Sequence, residues 1–209
     1  MRFLNRKIVP PPACLSTYRL PQDWGAVTFA DKTAIVGQLN RLQGQRCAYC
    51  ECDLENEGRY PHIEHFVQRG RDPRQRFVWA NLFRSCSHED RCGKHKDKKE
   101  IVASYVQGVL VKPDVDNPRA FLRFRGDGEV EVRHDAPSAQ RAAETIRVFH
   151  LNHVALKAMR KSWMDAARQQ AEEIAEFGLD DETEVLFQLL VEDWRGKPHE
   201  AAIFDVLGV

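Results

Sequence analysis

Two cysteine pairs constrain this chain more than any other feature. The first is Cys47-Ala48-Tyr49-Cys50, and the second is Cys86 with Cys92, with five residues between them. The C-x-x-C spacing lets a tight turn aim two sulfurs at one ion. Two such pairs supply a closed tetrahedral thiolate shell, which suits structural Zn2+ and leaves no position open for catalysis. The 35 residues between Cys50 and Cys86 then become a loop closed by metal. In small modules that closure contributes on the order of 10 kcal/mol to folding. Cys52 offers a competing thiol, and His88, inside the second pair, a competing imidazole. Cys14 stands apart and reads as a small buried apolar residue.

Five of the six cysteines cluster with histidines between positions 47 and 92. In a reducing compartment such a cluster more often means metal than disulfide. The basic N-terminus lacks the continuous apolar stretch of a signal peptide, and no apolar run approaches the ~18 residues of a membrane span. The expectation is a cytoplasmic protein with no membrane role.

Inside and just past the cysteine clamp lie His62, Glu64, His65, Asn81 and His95. Hydrolysing a phosphodiester requires an activated water, charge neutralisation on the phosphoryl oxygens and help for the leaving oxygen. An imidazole titrating near neutrality suits the base. Glu64 and His65 are adjacent, so a regular strand would point them to opposite faces. They act together only at a strand end or bulge. His62 shares a strand face with Glu64 and is a possible ligand or substrate contact.

The order of acidic residue and His, then Asn, then His, between flanking cysteine pairs, resembles the HNH nuclease superfamily with its ββα-metal fold. Further motifs look like the PtuB family, the HNH component of Septu-type anti-phage systems that also accompanies some retrons. These are CAYCE (47–51), HIEHF (62–66), Trp79-Ala80-Asn81-Leu82, Cys86 with Cys92-Gly93 and Lys96, Asp116-Asn117-Pro118 ahead of Gly126-Asp127-Gly128, and Leu151-Asn152 with Leu156 and Arg160. The resemblance implies His65 as general base, Asn81 orienting the His65 ring, and Glu64 with His95 holding a divalent ion, Mg2+ above all. It also implies a PtuA-like ATPase partner, in some systems a retron element, and a nucleic-acid substrate, DNA more than RNA.

The formal net charge of zero conceals an asymmetry. Residues 1–170 carry 29 basic and 20 acidic side chains, whereas residues 171–209 carry 2 and 11. Between 69 and 99 there are ten Lys and Arg against four acidic residues. Arg69, Arg71, Arg91, Lys94 and Lys96 are the candidate phosphate contacts, gripping backbone without reading sequence.

Periodicity predicts an α+β protein, mainly helical, with a zinc-stabilised ββα core and one hairpin. Residues 1–30, rich in proline, read as an extended arm. Residues 31–44 read as a helix capped by Asp31 and stopped by Gly44, with Ile35, Leu39 and Leu42 on one face. Residues 60–67 read as a strand, 77–84 as an apolar return, and the lysine-rich end of 85–99 as a helix running into Tyr105. A hairpin is expected over 120–133. A helix capped by Asp135 or Ser138 follows, then a long one from Asn152 to Gly178. A last helix after Asp181 has Glu184 completing a capping box and buries Val185, Leu186, Leu189 and Leu190. The expected organisation is an arm and helix (1–46), a nuclease core (47–108), and a hairpin with helices (109–209) packed as one unit with the core. The other reading of the chain is a non-catalytic zinc-finger or scaffold subunit of such a complex.

Overall fold

The computed structural model describes residues 1–55, 62–178 and 181–209. The N-terminal arm is irregular but not peripheral. Three short 3-10 turns carry it, and Met1, Leu4, Val9, Leu15 and Trp24 are buried in the core. Helix α1 spans Phe29–Gln43 and starts earlier than its periodicity suggests. Its cap is Thr28, whose hydroxyl accepts the Asp31 N–H at 3.2 Å; Asp31 sits one turn inside. Gly44 ends the helix at φ 57, a left-handed conformation that glycine adopts at little cost. Ile35, Leu39 and Leu42 form the buried face as expected. Cys14 is half-buried, with its thiol 3.8 Å from the Asp31 carbonyl.

Strands β1 (His62–His65) and β2 (Leu82–Ser85) pair antiparallel, with His62 opposite Ser85 and His65 opposite Leu82. Tyr60 and Pro61, expected to open β1, lie outside the described residues. The lysine-rich stretch breaks into two short helices, α2 (Cys92–Lys96) and α3 (Lys99–Val102). Tyr105 falls beyond them, under the Arg71 guanidinium at 4.7 Å.

The second hairpin joins β3 (Leu122–Phe124) to β4 (Val130–Val132). Its turn closes on Gly128, at φ 82, where a Cβ would lie 2.1 Å from the Lys157 carbonyl oxygen. Helix α4 (Ala139–Val148) is capped by Ser138. Helix α5 (Val154–Ala175) is capped by His153, not Asn152. Asn152 instead accepts the Val130 N–H at 2.7 Å and donates to the Val130 carbonyl at 2.8 Å, so it clamps β4.

Helix α6 (Asp181–Trp194) runs back along α5, and a further helix, α7 (Glu200–Leu207), closes against α5 and β3. The burial expected on α6 is reversed. Val185, Leu186 and Leu189 are 58%, 43% and 61% exposed, while Thr183, Val191 and Trp194 face inward and Leu190 is half-buried. The α6 sequence carries two apolar stripes. Packing on α5 selects the one through Phe187, Leu190, Val191 and Trp194.

The protein is α+β and about half helical, with two small antiparallel hairpins. One core cluster draws residues from the arm, the cysteine segment and the C-terminal helices; a smaller one lies under α5, α6 and α7. Among the described residues no helix is long and apolar enough to cross a membrane.

Candidate active cleft and thiol cluster

The turn after α1, the end of β2 and the start of α2 bring five cysteines together. Cys47, Cys50, Cys52 and Cys86 are buried, with their sulfurs all within 4.8 Å of one another. Cys92, also buried, touches Cys47, Cys50 and Cys86. The mutually close quartet therefore includes Cys52 where the sequence favoured Cys92. All five are free thiols. Burial opposes ionisation of Cys47, yet the four neighbouring thiols hold it well below its ordinary range. Two guanidiniums, Arg91 and Arg160, are 2% and 1% exposed, and Arg160 lies beside Cys50 and Cys92. Buried cations next to a thiolate shell offset its negative charge. The donor set fits a thiophilic ion such as Zn2+. Glu51, within the same turn, accepts the Ala201 N–H through its carboxylate at 3.1 Å and the His199 N–H through its carbonyl at 3.2 Å. These bonds tie α7 to the cluster.

On the other side of α2 an open cleft of about 940 Å3 is lined by His62, Glu64, His65, Arg69, Asp97 and residues of the arm. Glu64 and His65 both reach it because β1 ends at His65, so strand alternation no longer separates them. His65 is 5% exposed, and Trp24 packs perpendicular to its ring at a centroid distance of 4.5 Å. Its Nε2 lies 3.0 Å from the Arg76 carbonyl. A carbonyl only accepts, so Nε2 carries the proton and Nδ1 keeps the lone pair. Burial lowers the His65 pKa to about 4, so at pH 7 the ring is neutral with its Nδ1 lone pair free, though less basic than a solvated imidazole.

The Asn81 amide hydrogen-bonds backbone groups and not the His65 ring. Its Oδ1 accepts the Val67 N–H at 2.7 Å, and its Nδ2 donates to the carbonyls of Val67 and Gln75, both at 3.0 Å. It holds both ends of the 67–75 loop, and the next carbonyl, that of Arg76, is the one that fixes His65. The orienting role runs through backbone because a short amide buried beside that loop bonds the nearest peptide groups.

Glu64 is 2% exposed and 2.9 Å from the Lys96 ammonium, with His62 Nε2 at 3.3 Å. Burial opposes its ionisation, but Lys96 and His62 hold the carboxyl below its ordinary range. Lys96 also donates to the His65 carbonyl at 3.1 Å and pairs with Asp97. Burial, then the charge of Glu64, raises Asp97 to about 6. Gly93 makes this closeness possible, since a Cβ there would sit 2.5 Å from Glu64 Oε2.

His95 is not part of the cleft. It leaves the opposite flank of α2, where its Nδ1 donates to the Val148 carbonyl at 2.9 Å. The expected pairing of Glu64 with His95 is replaced by Glu64 with Lys96 and Asp97. One short turn cannot present residues 95 and 96 to the same side. The sequence reading overlooked Asp97, Trp24 and the Arg76 carbonyl. Only Asp97 left a signal, as the carboxylate after Lys96.

Of the five candidate phosphate contacts, Arg69 and Lys94 line the cleft. Arg91 and Lys96 are buried, 2% and 0% exposed, so the expectation for them fails. Arg71 is committed to the carbonyls of Val102 and Tyr105 at 3.0 and 2.7 Å. Arg76 and Lys98 line the cleft in their place.

No family model matches the chain. Over 87 residues it is 33% identical to the Septu protein PtuB of Bacillus thuringiensis, a match covering 41% of this chain and 31% of that protein. The relationship is PtuB-like, and the chain spans about a third of the length of the relative it matches.

Proposed function

We propose that this protein is a metal-dependent nuclease that hydrolyses phosphodiester bonds of nucleic acid, DNA above RNA. It would be the effector of an anti-phage defence complex with a PtuA-like ATPase, in some settings beside a retron element. The observation that carries the reading is the convergence in one cleft of a neutral imidazole of fixed tautomer, two carboxylates and basic side chains at the rim. The same geometry supports reading residues 47–108 as an HNH core, and the shared hydrophobic cluster supports the three expected segments acting as one unit.

His65 Nδ1 takes a proton from the attacking water as the water oxygen bonds to phosphorus. The Nε2–H stays on the Arg76 carbonyl, which Asn81 holds in place. The bond to the leaving 3′-oxygen breaks, and that oxygen gains a proton from solvent. Arg69, Lys94 and Lys98 attract the flanking phosphates. Glu64 and Asp97, with His62 beside them, would hold a divalent cation such as Mg2+. When bound, the ion supplies charge neutralisation on the phosphoryl and leaving oxygens. Oxygen donors flanking an imidazole fit that class of ion. Zn2+ would serve the thiol cluster, filled from Cys47, Cys50 and Cys86 with Cys52 or Cys92.

The test is cleavage of DNA with Mg2+ by the protein, alone and with its ATPase, comparing wild type with His65→Ala. A general base contributes ~100- to 10,000-fold, so the variant should lose at least ~100-fold. Equal cleavage by the two would overturn the reading. One observation favours a non-catalytic binding subunit: the Lys96 ammonium already pairs with both Glu64 and Asp97. On that reading DNA binds, but Mg2+ changes neither binding nor the DNA.

A further inference from the structure

Three histidines outside the cleft stand in a row where α2 meets the corner between α4 and α5. The ring centroids of His95 and His150 are 4.9 Å apart, and those of His150 and His153 are 5.3 Å apart. All three are half-buried. Neither the thiol cluster nor the proposed nuclease reaction uses them.

Their tautomers separate them. His95 Nδ1 lies 2.9 Å from the Val148 carbonyl, and His150 Nδ1 lies 2.7 Å from the Asp90 carbonyl. Each carbonyl requires a proton on Nδ1, so each neutral ring keeps its lone pair on Nε2. A backbone carbonyl holding one ring N–H is the arrangement that orients metal-binding histidines. His153 is the reverse. Its Nδ1 accepts the Ala155 N–H at 3.2 Å as the cap of α5, so its proton is on Nε2. The spacing also fits. Two imidazoles on one tetrahedral zinc, with Zn–N of about 2.0–2.1 Å, place their centroids roughly 5 Å apart. The Asp90 carboxylate is taken up by Lys98 at 2.7 Å, so the two imidazoles are the protein donors.

The geometry points to a second metal site, separate from the cysteines, in which His95 and His150 bind a borderline divalent cation such as Zn2+ through Nε2. Water completes the shell, and His153 stays the cap of α5 and a wall of the site. Imidazole donors select Zn2+, Ni2+ or Cu2+ over Mg2+. The bound ion joins the outer flank of α2 to the α4–α5 corner, which the Cys92 N–H already contacts through the Phe149 carbonyl at 2.8 Å. The inner flank of α2 carries Lys96 and Asp97, so the ion braces the rear wall of the cleft.

The test is zinc stoichiometry and calorimetric titration with Zn2+ on the whole, tag-free protein. His150 has φ 46, where asparagine is tolerated better than alanine, so the variant is His150→Asn. Wild type should bind two ions per chain, one tight and one weaker. His95→Gln and His150→Asn should each bind one, with the weaker site lost and far-ultraviolet circular dichroism unchanged. His153→Ala should keep both. Saturation of wild type at one ion, or two ions retained by both His95→Gln and His150→Asn, would overturn the proposal. If one variant misfolds, the other decides. Nuclease activity does not enter this readout.

Discussion

The two hairpins are both small, and each is held by an asparagine from outside its strands, yet they differ in what holds them together. β3 and β4 close over alternating apolar residues: Leu122, Phe124 and Val130 are buried. β1 and β2 are buried along much of their length, but the buried side chains include Glu64, His65, Arg84 and Ser85. A hairpin of that composition depends on ion pairs, on the Asn81 clamp and on the thiol cluster beside it. The comparison separates a hairpin that serves as scaffold from one whose internal polarity is its chemistry.

Metal removal should break the comparison most sharply. Chelation, or Cys47→Ser, takes away ~10 kcal/mol of folding free energy in modules of this kind. Amide protection at Ile63 and Phe83 should collapse, while that at Arg123 falls later, as measured by hydrogen exchange. If both hairpins open together, they form one cooperative unit. A swap between Cys52→Ser and Cys92→Ser then sharpens the ligand set, because the variant that loses zinc names the fourth sulfur.

The asparagines come next. Each clamp comprises buried hydrogen bonds, so Asn81→Ala and Asn152→Ala should each cost roughly 1–3 kcal/mol in urea unfolding. Only Asn81→Ala should also lower cleavage per folded molecule, because its clamp positions the carbonyl that fixes His65. Equal loss of cleavage in both variants would erase the distinction.

A smaller effect concerns acid. His199, 1% exposed against the Cys50 backbone, is held at about 4 by burial, against an ordinary 6.5. The folded state excludes its proton, so its contribution to stability is present above pH 6.5 and lost as pH falls toward 4. Asp97, raised from 3.8 to about 6, has the opposite sign. Its contribution is present below pH 3.8 and lost as pH rises through 6. His199→Asn should flatten the fall in stability between pH 6.5 and 4, read by thermal unfolding. An unchanged slope would assign that fall to other groups, such as His65.

The same contrast explains what was legible in the chain. Cys47, Cys50 and Cys86 could be read from spacing, and the second hairpin from alternation around Gly126-Asp127-Gly128. The pairing of Glu64 with Lys96 could not, because it depends on which way a five-residue helix turns. Asn81 and Asn152 were both assigned to the wrong partner for one reason. An amide bonds whatever backbone lies nearest, and sequence does not tell which backbone that is. The exposed stripe of α6 shows the same limit, since two apolar faces compete and packing chooses between them.

Helix α2 begins at Cys92, in the sulfur cluster, and ends at Lys96, buried behind the cleft wall against Glu64, a rise of ~6 Å. So short a strut has no room to absorb a displacement. Oxidation of the sulfurs, or loss of their ion, would therefore tilt the ammonium that steadies Glu64, and the carboxylates would record damage done on the far side of a single helical turn.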